Sequence, residues 1–516
     1  MKRKTGAIAA GHPETAEAAG EILRNGGNAF DAVLAAHLAA CVAEPVLTSL
    51  AGGGFLMAKT SDGKKTLYDF FVQTPVRKKS SSSEFFPISA DFGEVQQEFH
   101  IGPGSIATPG TVKGIFEIYK DLCSMPLQEI AAPAIELARK GVEMNEFQAG
   151  IFEIIKPIFL SYDTPKRLYG SHKISNGLIQ QGEILKLPEL ADFLEELVTQ
   201  DVSWFYEGHA ADQISKICKE HGGHLTRDDL RQYRVIKRKP LEFTYRDAAV
   251  SINPPPSSGG ILIGFALRLL EKSGFSRFLN GSVEALTLLA KVQELTDHAR
   301  VEAFVDETIG KSEDVILDPG FVEMYRKKIE PGLLSPRGTT HISVIDSDGN
   351  IAGLSTSNGE GSGIMIPGTG IMLNNMLGEE DLNPRGFHQW TENSRMTSMM
   401  APGILELENG QQVVFGSGGS NRIRTAILQV ILNLVDFGMP LEKAISWPRI
   451  HFEKGLLNAE HGHDEEVLYA VSKKFLNHKI WKDKSLFFGG THAASGGPEG
   501  FSGFGDPRRG GVSLTI

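Results

Sequence analysis

Thr339 stands in the stretch LSPRGTTHISVIDSDGN, residues 334–350, and has more chemistry open to it than any of its neighbours. A threonine hydroxyl is a poor nucleophile unless a base lies within hydrogen-bond reach. A free α-amino group on the same residue is one such base, with a reference pKa of about 7.7–8.0. That requires Thr339 to be a chain terminus, reached by cutting the Gly338–Thr339 bond. Glycine at 338 eases the backbone angles needed for the hydroxyl to attack its own upstream carbonyl. Taken alone, the motif also admits a plainer reading, in which Gly-Thr-Thr simply opens a β-strand.

A second candidate is Gly418-Gly419-Ser420, just ahead of an apolar helical stretch. Free backbone N–H groups at a helix start, aided by the helix dipole, suit a carboxylate, a phosphate or an oxyanion. The alternative is an ordinary hairpin-to-helix turn. The 15 histidines, His341 among them, include no HExxH pattern. HGHDEE, residues 461–466, comes nearest to a metal cluster and reads better as a solvated polar loop, so neither metal nor cofactor is expected. No GxSxG precedes a helix and no GxGxxG follows a strand, which argues against an α/β-hydrolase and a dinucleotide site. The glycines at 52–54 run into a strand-like segment, where a phosphate loop needs a helix opening on Lys-Ser/Thr.

The elements around these residues follow from periodicity. Residues 13–24 form one helix ending at Gly26-Gly27, and Asn28 caps a second that runs to Pro45. Residues 51–58 and SDGKKTLYDFF read as strand, Asp-Gly turn, strand. Residues 105–230 are mostly helical, and INPPPSSGG forms a rigid loop before another apolar helix. After Pro331 the pattern changes to period two, with hairpins in THISVIDSDGNIAGLSTS and GILELENGQQVVFGSGGS, then a helix ending at Gly438.

The 516-residue chain, 41% hydrophobic, is ample for a large core. Its net charge of −11, without long like-charge blocks, argues against nucleic-acid or anionic-membrane surfaces and for a small-molecule or peptide ligand. Cys41, Cys123 and Cys218 lack CxxC spacing and read as buried thiols. The apolar run GAIAAG is too short for a signal-peptide core, and no segment approaches a membrane span. A cytoplasmic protein is expected, or an extracytoplasmic one if a leader has been removed.

The segment TTHISVIDSDGN resembles the processing site of the γ-glutamyltranspeptidase (glutathione hydrolase) family. GGNAFDAVLAAHLA, GGGFLM, TPGTVKG, MPLQEIAAPAIELARKG, FYEGHAADQI, GGHLTRDDLRQY, PPPSSGGI, LNN and GSGGSNRI resemble further family landmarks, in the family's order. The resemblance implies an α+β, four-layer αββα N-terminal nucleophile hydrolase fold. One precursor cuts itself into a large subunit, residues 1–338, mostly helical and contributing outer layers and strands, and a small subunit, residues 339–516. The two form one intertwined unit, and a homo-oligomer is possible. The resemblance also implies that the new N-terminal Thr339 attacks a γ-glutamyl amide such as glutathione and passes the acyl group to water or an amine. Ser357 supports that hydroxyl, and Gly418 and Gly419 form the oxyanion hole. Thr397 and Ser398 hold the donor's α-carboxylate, and Asn358 and Glu379 make polar contacts with its α-carboxylate and α-amino group.

The chain departs from the family where most members carry a carboxylate-gripping arginine after DF: YDFFVQTP puts Phe71 there. A phenyl ring cannot pair with a carboxylate. The aspartate expected after LNN gives way to MLGEED, and the segment from there to Arg395 is short. Arg385, His388 and Arg395 are candidate replacement cations, each with a solvated loop charge as the alternative. Phe71 opens a second reading, an acylase with the same mechanism and a glutaryl-type acyl group. A third is a non-processing homologue that acts as a binding protein.

Overall fold

The computed structural model describes residues 5–79, 84–91, 96–304, 315–325, 339–383 and 385–516. Two antiparallel sheets lie face to face. The first is built from β1 (Gly6–Ala10), β2 (Gly53–Lys59), β3 (Lys65–Asp69), β4 (Ile236–Arg238), β7 (Thr340–Asp346), β8 (Ile351–Ser357) and β13 (Val512–Thr515), in the order β13-β1-β7-β8-β2-β3-β4. The second contains β5 (Leu241–Tyr245), β6 (Ala248–Ile252), β9 (Gly403–Glu406), β10 (Gln412–Gly418), β11 (Gly490–Gly496) and β12 (Ser502–Phe504), ordered β12-β11-β10-β9-β6-β5. Both sheets mix strands from before residue 338 with strands from after it.

Helices cover the two outer faces. On the first sheet lie α1 (Pro13–Arg24) and α2 (Ala29–Ala43), with α3 (Leu127–Lys140) packed on α2 and α4 (Pro188–Thr199) packed on α3. On the second lie α5 (Gly259–Glu271) and α7 (Arg422–Val435), with α6 (Val283–Phe304) packed against α5. The result is the α+β, four-layer αββα sandwich that the sequence resemblance implies.

Strand alternation divides the core. Along β7, Ile342 and Val344 pack on the helices, while His341, Ser343 and Ile345 face the second sheet. Between the sheets, the His341 ring bonds the hydroxyls of Ser355 at 2.8 Å and Ser343 at 2.9 Å. A β-carbon on Gly416 would come within 2.2 Å of that ring. Only glycine lets β10 pass there.

Helix α2 acts as a splint for β7. It is apolar on every side and buried along all 15 residues, as a helix with no polar face must be. Its span of about 22 Å matches the roughly 23 Å of a seven-residue strand. At its start, Ala29 N–H donates to Asp346 in the β7–β8 turn at 2.9 Å. Just past its end, the buried Glu44 carboxyl accepts from Thr340 Oγ1 at 2.8 Å and from Thr15 Oγ1 at 2.8 Å. The strand mouth beside Thr339 is thereby pinned.

Candidate active site

Thr339 directly precedes β7, and the register Thr340↔Thr356 sets it opposite Ser357, the last residue of β8. The Thr339 carbonyl accepts from Arg509 Nη1 at 3.3 Å and lies against Gly418, where a β-carbon would be only 1.9 Å from that oxygen. Gly418 ends β10, Gly419 turns at φ +119°, and Asn421 stands at the N-terminal boundary of α7 without a side-chain capping bond. Among the described residues no acceptor takes the Gly419 N–H, so this donor remains available beside Thr339. Arg509 is buried, and burial lowers its pKa to about 10 against the opposing pull of Glu360 and Asp506.

Thr339 and Ser357 line an inner cavity of about 30 Å³ with Glu379, Thr397, Ser398 and Phe71. An outer cavity of about 150 Å³ shares Ser258, Arg300, Leu382 and Thr397 as walls and continues past Trp390 and Gln389. The PPPSSGG loop positions the far wall: Ser257 Oγ and Ser258 N–H donate to the Ser398 carbonyl at 2.7 and 2.8 Å. Thr397 Oγ1 donates to the Pro256 carbonyl at 2.9 Å, and Ser398 Oγ accepts from Met400 N–H at 3.1 Å.

Most residues singled out from the sequence therefore meet in one place. Asn358 is the exception: it is buried beside Ser357, its amide donates to the Met372 carbonyl at 3.4 Å, and it lies behind the cavity wall. Gly338 lies outside the described residues. His341 belongs to the layer between the sheets. In HGHDEE, Asp464 caps a short helix by accepting from Glu466 and Val467 N–H, both at 3.0 Å. Among the described residues no cluster of three His, Cys, Asp or Glu side chains could hold a metal, and no helix is long and apolar enough to cross a membrane.

The replacement cations separate. Arg385 is exposed at the rim of the outer cavity, and His388 is exposed with its ring 4.5 Å from that of Phe85. Arg395 is not a solvated loop charge. It is buried, and its guanidinium donates to the carbonyls of Phe71 and Arg234 and to Tyr233 Oη, and pairs with Asp69 at 3.4 Å. Phe71 is 1% exposed and stacks on Phe55 at 5.4 Å.

Four polar residues of the inner cavity escaped the sequence reading. Ser258 and Ser420 sit inside motifs noted there without a role, and Asp381 belongs to the MLGEED run. The Asp381 carboxylate accepts from Ser420 Oγ and from Asn421 Nδ2, the latter at 3.3 Å. Arg300 carries no motif signal, because on α6 it looks like any helical cation.

The αββα sandwich is that of the N-terminal nucleophile hydrolases. Within that class the chain belongs to the gamma-glutamyltranspeptidase family, whose model matches residues 15–516. It is 28% identical to the glutathione hydrolase proenzyme of Escherichia coli strain K12 over 98% of this chain and 91% of that one. It is 30% identical to the glutathione hydrolase proenzyme of Pseudomonas aeruginosa, over 87% and 83%. An acylase ACY 1 proenzyme of Pseudomonas sp. strain SE83 is 28% identical over 96% and 90%. Among solved structures, cephalosporin acylase from Bacillus halodurans shares the fold with a TM-score of 0.85 at 24% identity, covering 100% of this chain and 96% of that one.

Proposed function

We propose that the chain cuts itself between Gly338 and Thr339 and then cleaves γ-glutamyl amides such as glutathione, passing the acyl group to water or an amine. The observation that carries this reading is the meeting of Thr339, Ser357, Glu379, Thr397 and Ser398 around one cavity, with the Thr339 carbonyl against Gly418.

In the cut, Thr339 Oγ1 adds to the Gly338 carbonyl carbon and the C–N bond breaks. The departing nitrogen takes the hydroxyl proton and becomes the free threonine amine, and water then hydrolyses the resulting ester, releasing the Gly338 carboxyl and restoring the Thr339 hydroxyl. In turnover, that amine takes the Oγ1 proton as the hydroxyl attacks the donor amide, and returns it to the leaving amine. The N–H groups of Gly418 and Gly419 stabilise the developing oxyanion. Water or an acceptor amine then releases the acyl group by the same steps.

Phe71 favours a second reading, an acylase for a different acyl group such as glutaryl. A relative called an acylase proenzyme accords with it. The test is a denaturing gel followed by an assay. Wild-type protein separates into pieces spanning 1–338 and 339–516, Thr339→Ala stays whole, and the cut enzyme releases nitroaniline from γ-glutamyl-p-nitroanilide. A wild-type chain still uncut after long incubation refutes the catalytic reading, while faster release from the glutaryl anilide selects the acylase.

A further inference from the structure

We propose that Arg300, on helix α6, grips the carboxylate at the far end of the acyl donor, taking the task that residue 71 cannot perform here. The inference rests on the reading of Thr339 as the acyl acceptor and names the chemical class of that donor: an acyl chain ending in a carboxylate.

Among the described residues Arg300 is the single arginine or lysine on the wall of the inner cavity, and it lines the outer one as well. Its head group is little used: Nη1 donates to the neutral Asn421 Oδ1 at 3.1 Å, and no carboxylate among the described residues forms an ion pair with it. Asp297, one turn earlier on α6, makes its ion pair with Arg424 and acts on Arg300 only through space. A guanidinium carries five N–H donors in a planar fork, so one bond to an amide leaves room for a bidentate carboxylate.

The other nearby cations are unsuited. Arg395 spends its donors on the Phe71 and Arg234 carbonyls, Tyr233 and Asp69. Arg509 sits behind the Thr339 carbonyl, on the side of the reacting atoms. Arg385 lies at the exposed rim.

Glu379 and Asp381 share the inner cavity with Arg300. They disfavour a second carboxylate and suit an ammonium beside the one that Arg300 holds. Asn421 ties the two charges together, donating to Asp381 at 3.3 Å while accepting from Arg300. Phe71 gives that cavity an apolar wall, and α6 brings the cation to it.

The test pairs binding with catalysis on the full-length protein. Glutarate titrated calorimetrically binds wild type, and Arg300→Met weakens it about 10- to 100-fold, with Arg300→Lys in between. In the cut enzyme, Arg300→Met lowers kcat/KM for γ-glutamyl-p-nitroanilide by a similar factor through KM. It leaves 4-aminobutyryl-p-nitroanilide, which lacks the carboxylate, unchanged. Arg300→Gln repeats the measurement should the Met variant fold poorly, as judged by its melting temperature. Equal glutarate binding by wild type and variant, or no binding by wild type, overturns the proposal. Arg300-dependent glutarate binding in a chain that neither cuts itself nor hydrolyses any anilide sinks the catalytic reading and leaves this one standing.

Discussion

The carbonyl oxygen of Thr339 occupies the space that a β-carbon on Gly418 would fill, 1.9 Å from where that carbon would stand. This contact locks the mouth of β7 to the end of β10 and permits no side chain at 418. Gly418→Ala must push Thr339 away from the turn that carries the free Gly419 N–H. On the proposed mechanism, loss of one oxyanion donor costs about 100- to 1,000-fold in kcat, and displacement of the Thr339 hydroxyl adds to it. The expected outcome is an uncut chain on a denaturing gel and no measurable turnover. Gly150→Ala, at a helical position with open space around it, is the control and cuts normally. A Gly418→Ala protein that cuts and turns over at the wild-type rate would falsify the arrangement.

Thr340 and Glu44 give a prediction with a pH sign. Burial raises the Glu44 pKa, and the hydroxyls of Thr15 and Thr340 pull it back by favouring the ionised form. A carboxyl raised in the folded state holds its proton longer than in the unfolded chain, so stability declines as pH rises through the folded value. Thr340→Val removes one donor to that ion. The variant loses about 1–3 kcal/mol of stability, and loses more at pH 8 than at pH 5. Urea unfolding at the two pH values decides it, and an equal loss at both removes Glu44 from the account.

The hairpin that follows Thr339 was legible in the sequence because period-two alternation and a Ser-Asp-Gly-Asn turn are local signals, and β7 and β8 fall where they indicate. Helices α1 and α2 were legible for the same reason: a capped start and a glycine stop are written in adjacent residues. Strand β1 was not. GAIAA is short and alanine-rich, and its strand character comes from neighbours far away in sequence, β7 and β13. The cavity divides along the same line. Thr339 and Gly418-Gly419 announce chemistry by type, whereas Arg300 and Asp381 acquire a role only when α6 and the MLGEED loop fold against the strand mouth. The environment of Arg395 was equally hidden, since its partners Asp69, Phe71 and Tyr233 lie more than 150 residues upstream.

Histidines in the interior give a prediction of opposite sign to Glu44. Burial lowers the His492 and His451 pKa values to about 4, and that of His341 well below its ordinary value of 6.5. An unfolded chain takes up these protons near pH 6.5 and the folded chain refuses them until about pH 4, so stability falls as pH drops through that window. Asp506, whose pKa is lowered to about 2 with Arg449 and Arg508 beside it, extends the loss to lower pH. Urea midpoints measured from pH 7 to 4.5 therefore decline. His492→Asn, whose Oδ1 can take the Asp506 N–H that His492 Nδ1 accepts at 3.1 Å, flattens the decline. An unchanged slope in that variant assigns the acid sensitivity elsewhere.

Arg395 and Arg300 make opposing predictions, because one is built into the wall and the other faces the cavity. Arg395→Met strips the Phe71 carbonyl, Tyr233 and Asp69 of a shared donor while Arg238 still pairs with Asp69 at 2.8 Å. Removing one partner from a buried ion pair costs about 3–5 kcal/mol, and the surviving Arg238 contact places this case near the lower end. The melting temperature falls. In the protein that remains folded, the donor KM stays within about twofold of wild type, because no interaction made by the substrate has been removed. A variant with wild-type stability and a KM raised tenfold or more would make Arg395 the carboxylate anchor and return Arg300 to its bond with Asn421.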